Sequence, residues 1–133
     1  MEKGAFKILV VDDDPVSVKM IETVLAKDGY YVYAYQGAPE GLEAAMKEQP
    51  DLIVLDVMMP IINGYNICRL MKSHKEHRQI PIILLTSRSG EEDRRIGEEV
   101  GADAHISKPF KREDLLDTVR RLLNKKKNTP ETS

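Results

Sequence analysis

Ile8–Val11, Leu52–Leu55 and Ile82–Leu85 are apolar and β-compatible at every position. A strand with one face in water alternates polar and apolar residues. A run that does not alternate is covered on both sides, as the central strands of a parallel sheet are. Two further stretches favour strand but fit this description less well: Tyr31–Tyr35, rich in tyrosine, and the short Ala104–Ser107. They suit the edges of the same sheet.

Helical patterns lie between and after these runs. Val18, Ile21 and Leu25 share one face of the first, which opens at Asp14-Pro15 and ends at Asp28-Gly29. Asp14 suits its N-cap and Pro15 its first turn. The second helix carries Leu42, Ala45 and Met46 between Pro39 and Pro50, and the third runs from Tyr65 to His74 around Ile67, Cys68 and Met71. The fourth, Glu91 to Val100, is very polar, with Ile96 and Val100 as its inward positions. The last is strongly amphipathic, with Leu115, Leu116, Val119, Leu122 and Leu123 at helical spacing. Strict alternation of five strand and five helix signals predicts a single-domain, doubly wound α/β sandwich around a five-stranded parallel sheet. Residues 1–124 make up the predicted domain, and the Lys-rich, then polar 125–133 a disordered tail or the start of a linker.

Composition narrows the function classes. At 133 residues there is room for one core, and no apolar run is long enough to cross a membrane. A net charge of −2 gives no support for non-specific binding to nucleic acid or an anionic membrane. Cys68 is the only cysteine, and no secretory leader pattern is visible, so a reducing, cytoplasmic setting is expected.

The placement of the polar residues is more informative. Asp12, Asp56, Thr86 and Lys108 each stand at or just after the carboxyl end of a predicted strand. In open α/β sheets those ends border the ligand crevice. If Asp12, Asp13 and Asp56 converge, each pair about 4 Å apart repels by roughly 4 kcal/mol at an effective dielectric near 20. A hard cation that keeps several waters would relieve this, which suits Mg²⁺. A carboxylate beside such an ion can attack phosphorus, and Lys108 and Thr86 could take the phosphoryl oxygens. Taken singly, each has a plainer explanation: Asp12-Asp13-Asp14 could be capping chemistry, Asp56 a turn residue, and Thr86-Ser87 a common strand-to-helix turn. Asp14 is assigned to capping alone.

Several stretches together are similar to the response regulator receiver domain: Ile8-Leu9-Val10-Val11-Asp12-Asp13, Asp51 to Pro60, Leu84-Leu85-Thr86-Ser87, Gly101-Ala102-Asp103 and Lys108-Pro109-Phe110. The resemblance spans about residues 6 to 124. It implies the flavodoxin-like strand order 2-1-3-4-5, with Asp56 as phosphoacceptor. It also implies Mg²⁺ held by Asp13 directly, by Asp12 through water, by Asp56 and by the main-chain carbonyl of Met58. Thr86 would move onto the phosphoryl group, Lys108 would pair with it, and Lys108-Pro109 would be cis. The implied partners are a histidine kinase or phosphotransfer protein as donor and a downstream protein or fused output domain, with a phosphorylation-dependent homodimer left open. Such a domain catalyses its own phosphorylation but is not a conventional turnover enzyme.

His105 departs from the pattern, standing where the family often has a rotating Tyr or Phe. An imidazole there would make the coupling depend on pH near its own titration range; a half-exposed edge histidine without a role fits equally well. Met58 and Arg88 flank the site and are expected to shield the acyl phosphate from water. Cys68 and Met71 are expected in the core, and Met58 and Met59 at the border of the site.

Other classes fit less well. A phosphohydrolase working through an aspartyl phosphate normally wants a second aspartate two residues after the first, where Met58 stands. A binding module independent of phosphorylation would not need the complete set of acidic pair, Asp56, Thr86 and Lys108. A flavin-binding relative would follow the first strand with a phosphate-cradling loop rather than aspartates. The sequence is compatible with a stand-alone receiver or a domain of a longer protein.

Overall fold

The computed structural model describes residues 5–87 and 90–128, the last three of these by backbone only. Five strands alternate with five helices: β1 Lys7–Val11, α1 Pro15–Lys27, β2 Tyr31–Tyr35, α2 Ala38–Glu48, β3 Leu52–Asp56, α3 Gly64–Ser73, β4 Ile82–Thr86, α4 Glu91–Glu99, β5 Ala104–Ser107 and α5 Arg112–Asn128. The strands form one parallel sheet in the order β2-β1-β3-β4-β5. The three all-apolar runs are its central strands and the other two its edges, as their composition predicts.

Successive residues of the central strands feed opposite faces. Leu9, Val11, Ile53, Leu55, Ile82 and Leu84 join a core with Ala44 and Ala45 of α2 and Ile67, Cys68 and Met71 of α3. Ile8, Val10, Leu52, Val54, Ile83 and Leu85 join a second core with Ile21 and Leu25 of α1 and Leu115, Val119, Leu122 and Leu123 of α5. The order reversal falls between β1 and β3, and the ends of these strands carry the acidic residues.

Local signals explain where the elements begin. The Asp14 carboxylate accepts hydrogen bonds from Val16 N–H and the Ser17 hydroxyl, both at 3.1 Å, and so caps α1 as expected. Asn63 caps α3 by accepting from Asn66 N–H at 2.9 Å.

Two placements differ from the sequence reading. α5 continues to Asn128, so residues 125–128 are helical where a disordered tail or the start of a linker was expected. Lysine is a good helix former, and positive charge is favoured at a helix C-terminus. Met59, expected at the border of the site, is buried and belongs to the core cluster that also holds Val57 and Ile67.

Candidate functional site

The carboxyl ends of β1, β3, β4 and the β5–α5 connection bring together the residues that the sequence singled out. Asp12 directly follows β1 and is fully buried, Asp56 ends β3 and is 5% exposed, and Asp13 faces solvent. One carboxylate oxygen from each lies within 4.8 Å of the others. Lys108 reaches in from the far side, donating to Asp12 Oδ2 at 3.0 Å and approaching Asp56 Oδ1 at 3.1 Å. Its backbone N–H donates to the Thr86 carbonyl at 2.7 Å, and the Lys108–Pro109 bond is cis. Thr86 is fully buried at the end of β4.

Backbone contacts fix this arrangement. Asp12 N–H donates to the Tyr35 carbonyl at 3.2 Å, and Asp12 Oδ1 accepts from Asp14 N–H at 3.0 Å. One face of Asp12 thus orders the turn into α1 while the other meets Lys108. Beside Asp56, Val57 N–H donates to Leu85 O and Gly64 N–H to Val57 O. α3 starts so close to β3 that a Cβ at Gly64 would lie 2.5 Å from the Asp56 carbonyl oxygen, so only glycine fits there. The loop between them also holds Ile61, 87% exposed at φ +73°, a conformation that β-branched residues rarely adopt.

Three carboxylates face one ammonium here, and the ionisation equilibria respond. Burial pushes the Asp56 carboxyl up to about 6; Asp12 adds to the shift, Lys108 opposes it and Asp13 adds a little. Burial alone would lower the Lys108 pKa, but its hydrogen bonds to Asp12 and Asp56 outweigh this and raise it. Both shifts have one sense: the pocket favours additional positive charge. The donor set also suits a small hard cation, since opposite ligands of an octahedral Mg²⁺ lie about 4.2 Å apart at bond lengths near 2.1 Å. Oxygens already gathered within 4.8 Å need little rearrangement.

The family model of the response regulator receiver domain matches residues 8–120. The chain belongs to this family. Receiver domains are phosphorylation-dependent switches of two-component systems, which operate with histidine kinases. Among curated proteins, the transcriptional regulatory protein GltR of Pseudomonas aeruginosa is 38% identical over 94% of this chain and 52% of its own length. The chain spans about half the length of the curated relatives it matches. Among solved structures, the receiver domain of a signal transduction histidine kinase from Syntrophus aciditrophicus is 36% identical, with a TM-score of 0.87 over 97% of this chain and 98% of that one. The receiver domain of a sensor histidine kinase from Pseudomonas aeruginosa is 30% identical, with a TM-score of 0.83 over 91% of this chain and 99% of that one. That structure has a magnesium ion coordinated in its active-site cleft.

The remaining expectations divide. Met58, half exposed, stands at the rim two residues after Asp56; Arg88 lies outside the described residues. His105 is partly buried, with its Nε2 enclosed and without a hydrogen-bond partner. Sequence reasoning missed Lys72. Its ammonium donates to the carbonyls of Arg78 and Ile80 and to the Asp103 carboxylate, at 3.0, 2.8 and 2.9 Å. The same Asp103 oxygen accepts from Ile82 N–H at 2.8 Å, which fixes the entry into β4. A lysine on a helix face carries no sequence signal for acceptors eight and 31 residues away. Among the described residues no helix is long and apolar enough to cross a membrane.

Proposed function

We propose that Asp56 accepts the phosphoryl group in this receiver domain, assisted by Asp12, Asp13, Thr86 and Lys108. The observation that carries this reading is the convergence of three carboxylates and one ammonium around Asp56 at the switch point of the sheet. With a phosphohistidine donor, an Asp56 oxygen attacks phosphorus, the N–P bond breaks, and the imidazole leaves with its electron pair and takes a proton. Lys108 pairs with the phosphoryl oxygens once it shifts from Asp56, keeping Asp12 as its anchor. Thr86 donates a hydrogen bond to another oxygen, and Met58 restricts water.

Mg²⁺ would be held by Asp13, by Asp12 through water, by Asp56 and by the Met58 carbonyl. It would supply charge neutralisation for the transferring group. Because the phosphoryl group remains on the chain until it hydrolyses, the domain acts as a switch and not as a turnover enzyme. We place it in the cytoplasm with a histidine kinase or phosphotransfer protein as donor. Its output is a downstream protein or a fused segment, in keeping with transcriptional regulators among its relatives.

Intact mass after incubation with acetyl phosphate tests this, with and without Mg²⁺, on the wild type and Asp56→Asn. A gain of one phosphoryl group that needs Mg²⁺ and disappears in the variant is the expected result. An equal gain in the variant would move the acceptor elsewhere. No gain with acetyl phosphate or with histidine kinases would leave a module that works without phosphorylation.

A further inference from the structure

α4 sits on the sheet over an imidazole. His105 pairs in register with Leu84 of β4, and its ring lies against Gly97, the buried residue of α4. A Cβ at Gly97 would come to 3.4 Å from His105 Cδ2, 3.6 Å from Leu84 Cδ1 and 4.0 Å from His105 Nε2. The ring therefore packs in a slot beneath Gly97, at distances that ordinary van der Waals contact would also allow for a Cβ there. Its Nε2 is enclosed there and makes no hydrogen bond, an uncommon state for a buried polar atom. The charged groups facing it are Arg94 and Asp93, both from α4, while β4 presents the apolar Leu84. From α3, the Tyr65 hydroxyl reaches the Asp93 carbonyl at 3.2 Å.

We propose that His105 is an acid-released latch for α4: neutral, it seats the helix through the Gly97 slot; protonated, it leaves the slot and loosens the helix. A second positive charge in this slot would face Arg94 and lack the water that an imidazolium needs. Burial and Arg94 lower the His105 pKa, and Asp93 only partly offsets them. The sign follows directly. A depressed pKa in the closed state means that the latch's contribution is complete above the ordinary imidazole range and is lost as pH falls through the depressed value. α4 is otherwise held by the buried Val100, by Ile96 packed on the same core and by the Tyr65 hydroxyl, so loss of the ring contact shifts its opening equilibrium rather than detaching it. The proposal is independent of the assignment of Asp56.

Backbone hydrogen exchange between pH 7.5 and 5.5, corrected for intrinsic chemistry, tests it. An Asp56→Asn background removes the carboxyl that titrates in the same window. The equilibrium opening of α4 should rise relative to α1 by at most about tenfold at pH 5.5, the limit set by an open-state imidazole near 6.5. His105→Phe should abolish the pH dependence. An α4 whose protection does not follow pH, or follows it equally in His105→Phe, overturns the latch. Should that variant not fold, an NMR titration of the His105 ring in the unsubstituted chain decides. A ring that titrates below 6.5 in step with α4 shifts supports the proposal, and one at or above 6.5 ends it.

Discussion

The side of the sheet covered by α1 and α5 and the rim at its carboxyl end are built on opposite principles. Under α1 and α5, Ile21, Leu25, Leu115 and Val119 are fully buried against β1, β3 and β4. At the rim, three carboxylates crowd together and Ile61 adopts a left-handed backbone, while next to it, beneath α4, His105 Nε2 is enclosed without a partner. The first region holds the fold together, whereas the second keeps local conflicts that chemistry or a partner can relieve. Truncating side chains should therefore act with opposite signs in the two regions.

Leu115→Ala should give the largest effect, a loss of about 2–5 kcal/mol in urea unfolding, as expected for a cavity opened beneath a packed helix. A loss under 1 kcal/mol would erase the contrast. Asp56→Asn should do the reverse without Mg²⁺, stabilising the chain by roughly 1–2 kcal/mol at pH 8 after discounting for solvent screening. The carboxyl rises from 3.8 to about 6 on folding, so its proton is held more tightly in the folded state. That contribution is complete below pH 3.8 and is lost as pH rises through about 6. The gain from the substitution should accordingly shrink toward pH 4 and diminish when Mg²⁺ is added; a gain independent of pH would point to a different cause.

Ile61→Gly should raise Tm as well, by the equivalent of about 1 kcal/mol, because glycine accepts the positive φ. Thermal scans in which this variant melts below the wild type would show that the loop is not strained. Arg120→Ala should give the smallest change. Arg120 joins α5 to the end of α1 through two hydrogen bonds to Asp28, at 2.8 and 3.1 Å, and is itself half exposed. A slight drop in Tm at low salt should disappear in 1 M salt, where the Debye length is about 3 Å. A drop that survives salt would assign the pair a packing role.

The two regions also differed in how openly the sequence displayed them. Uninterrupted apolar runs mark central strands because burial on both faces leaves no other pattern, so the sheet could be placed residue by residue. Asp12, Asp56, Thr86 and Lys108 were legible as a set because each ends or follows a strand, and a parallel sheet delivers all such ends to one rim. What stayed hidden depends on distance in space. Nothing local announces that Lys108 would be shared between Asp12 and Asp56, or that Met59 would turn into the core. Nor does the Gly97 slot appear in a helix whose sequence is almost entirely charged.

Lys72 has a consequence for how the chain could be divided. It belongs to α3, whereas its two carbonyl acceptors, Arg78 and Ile80, lie beyond the turn that follows the helix. A break in the backbone between His74 and His77 would leave the ammonium on one fragment and those acceptors on the other, beside the paired strands β3 and β4. The two halves would carry their own clasp, and this turn is where the domain could be split and reassembled from separate pieces.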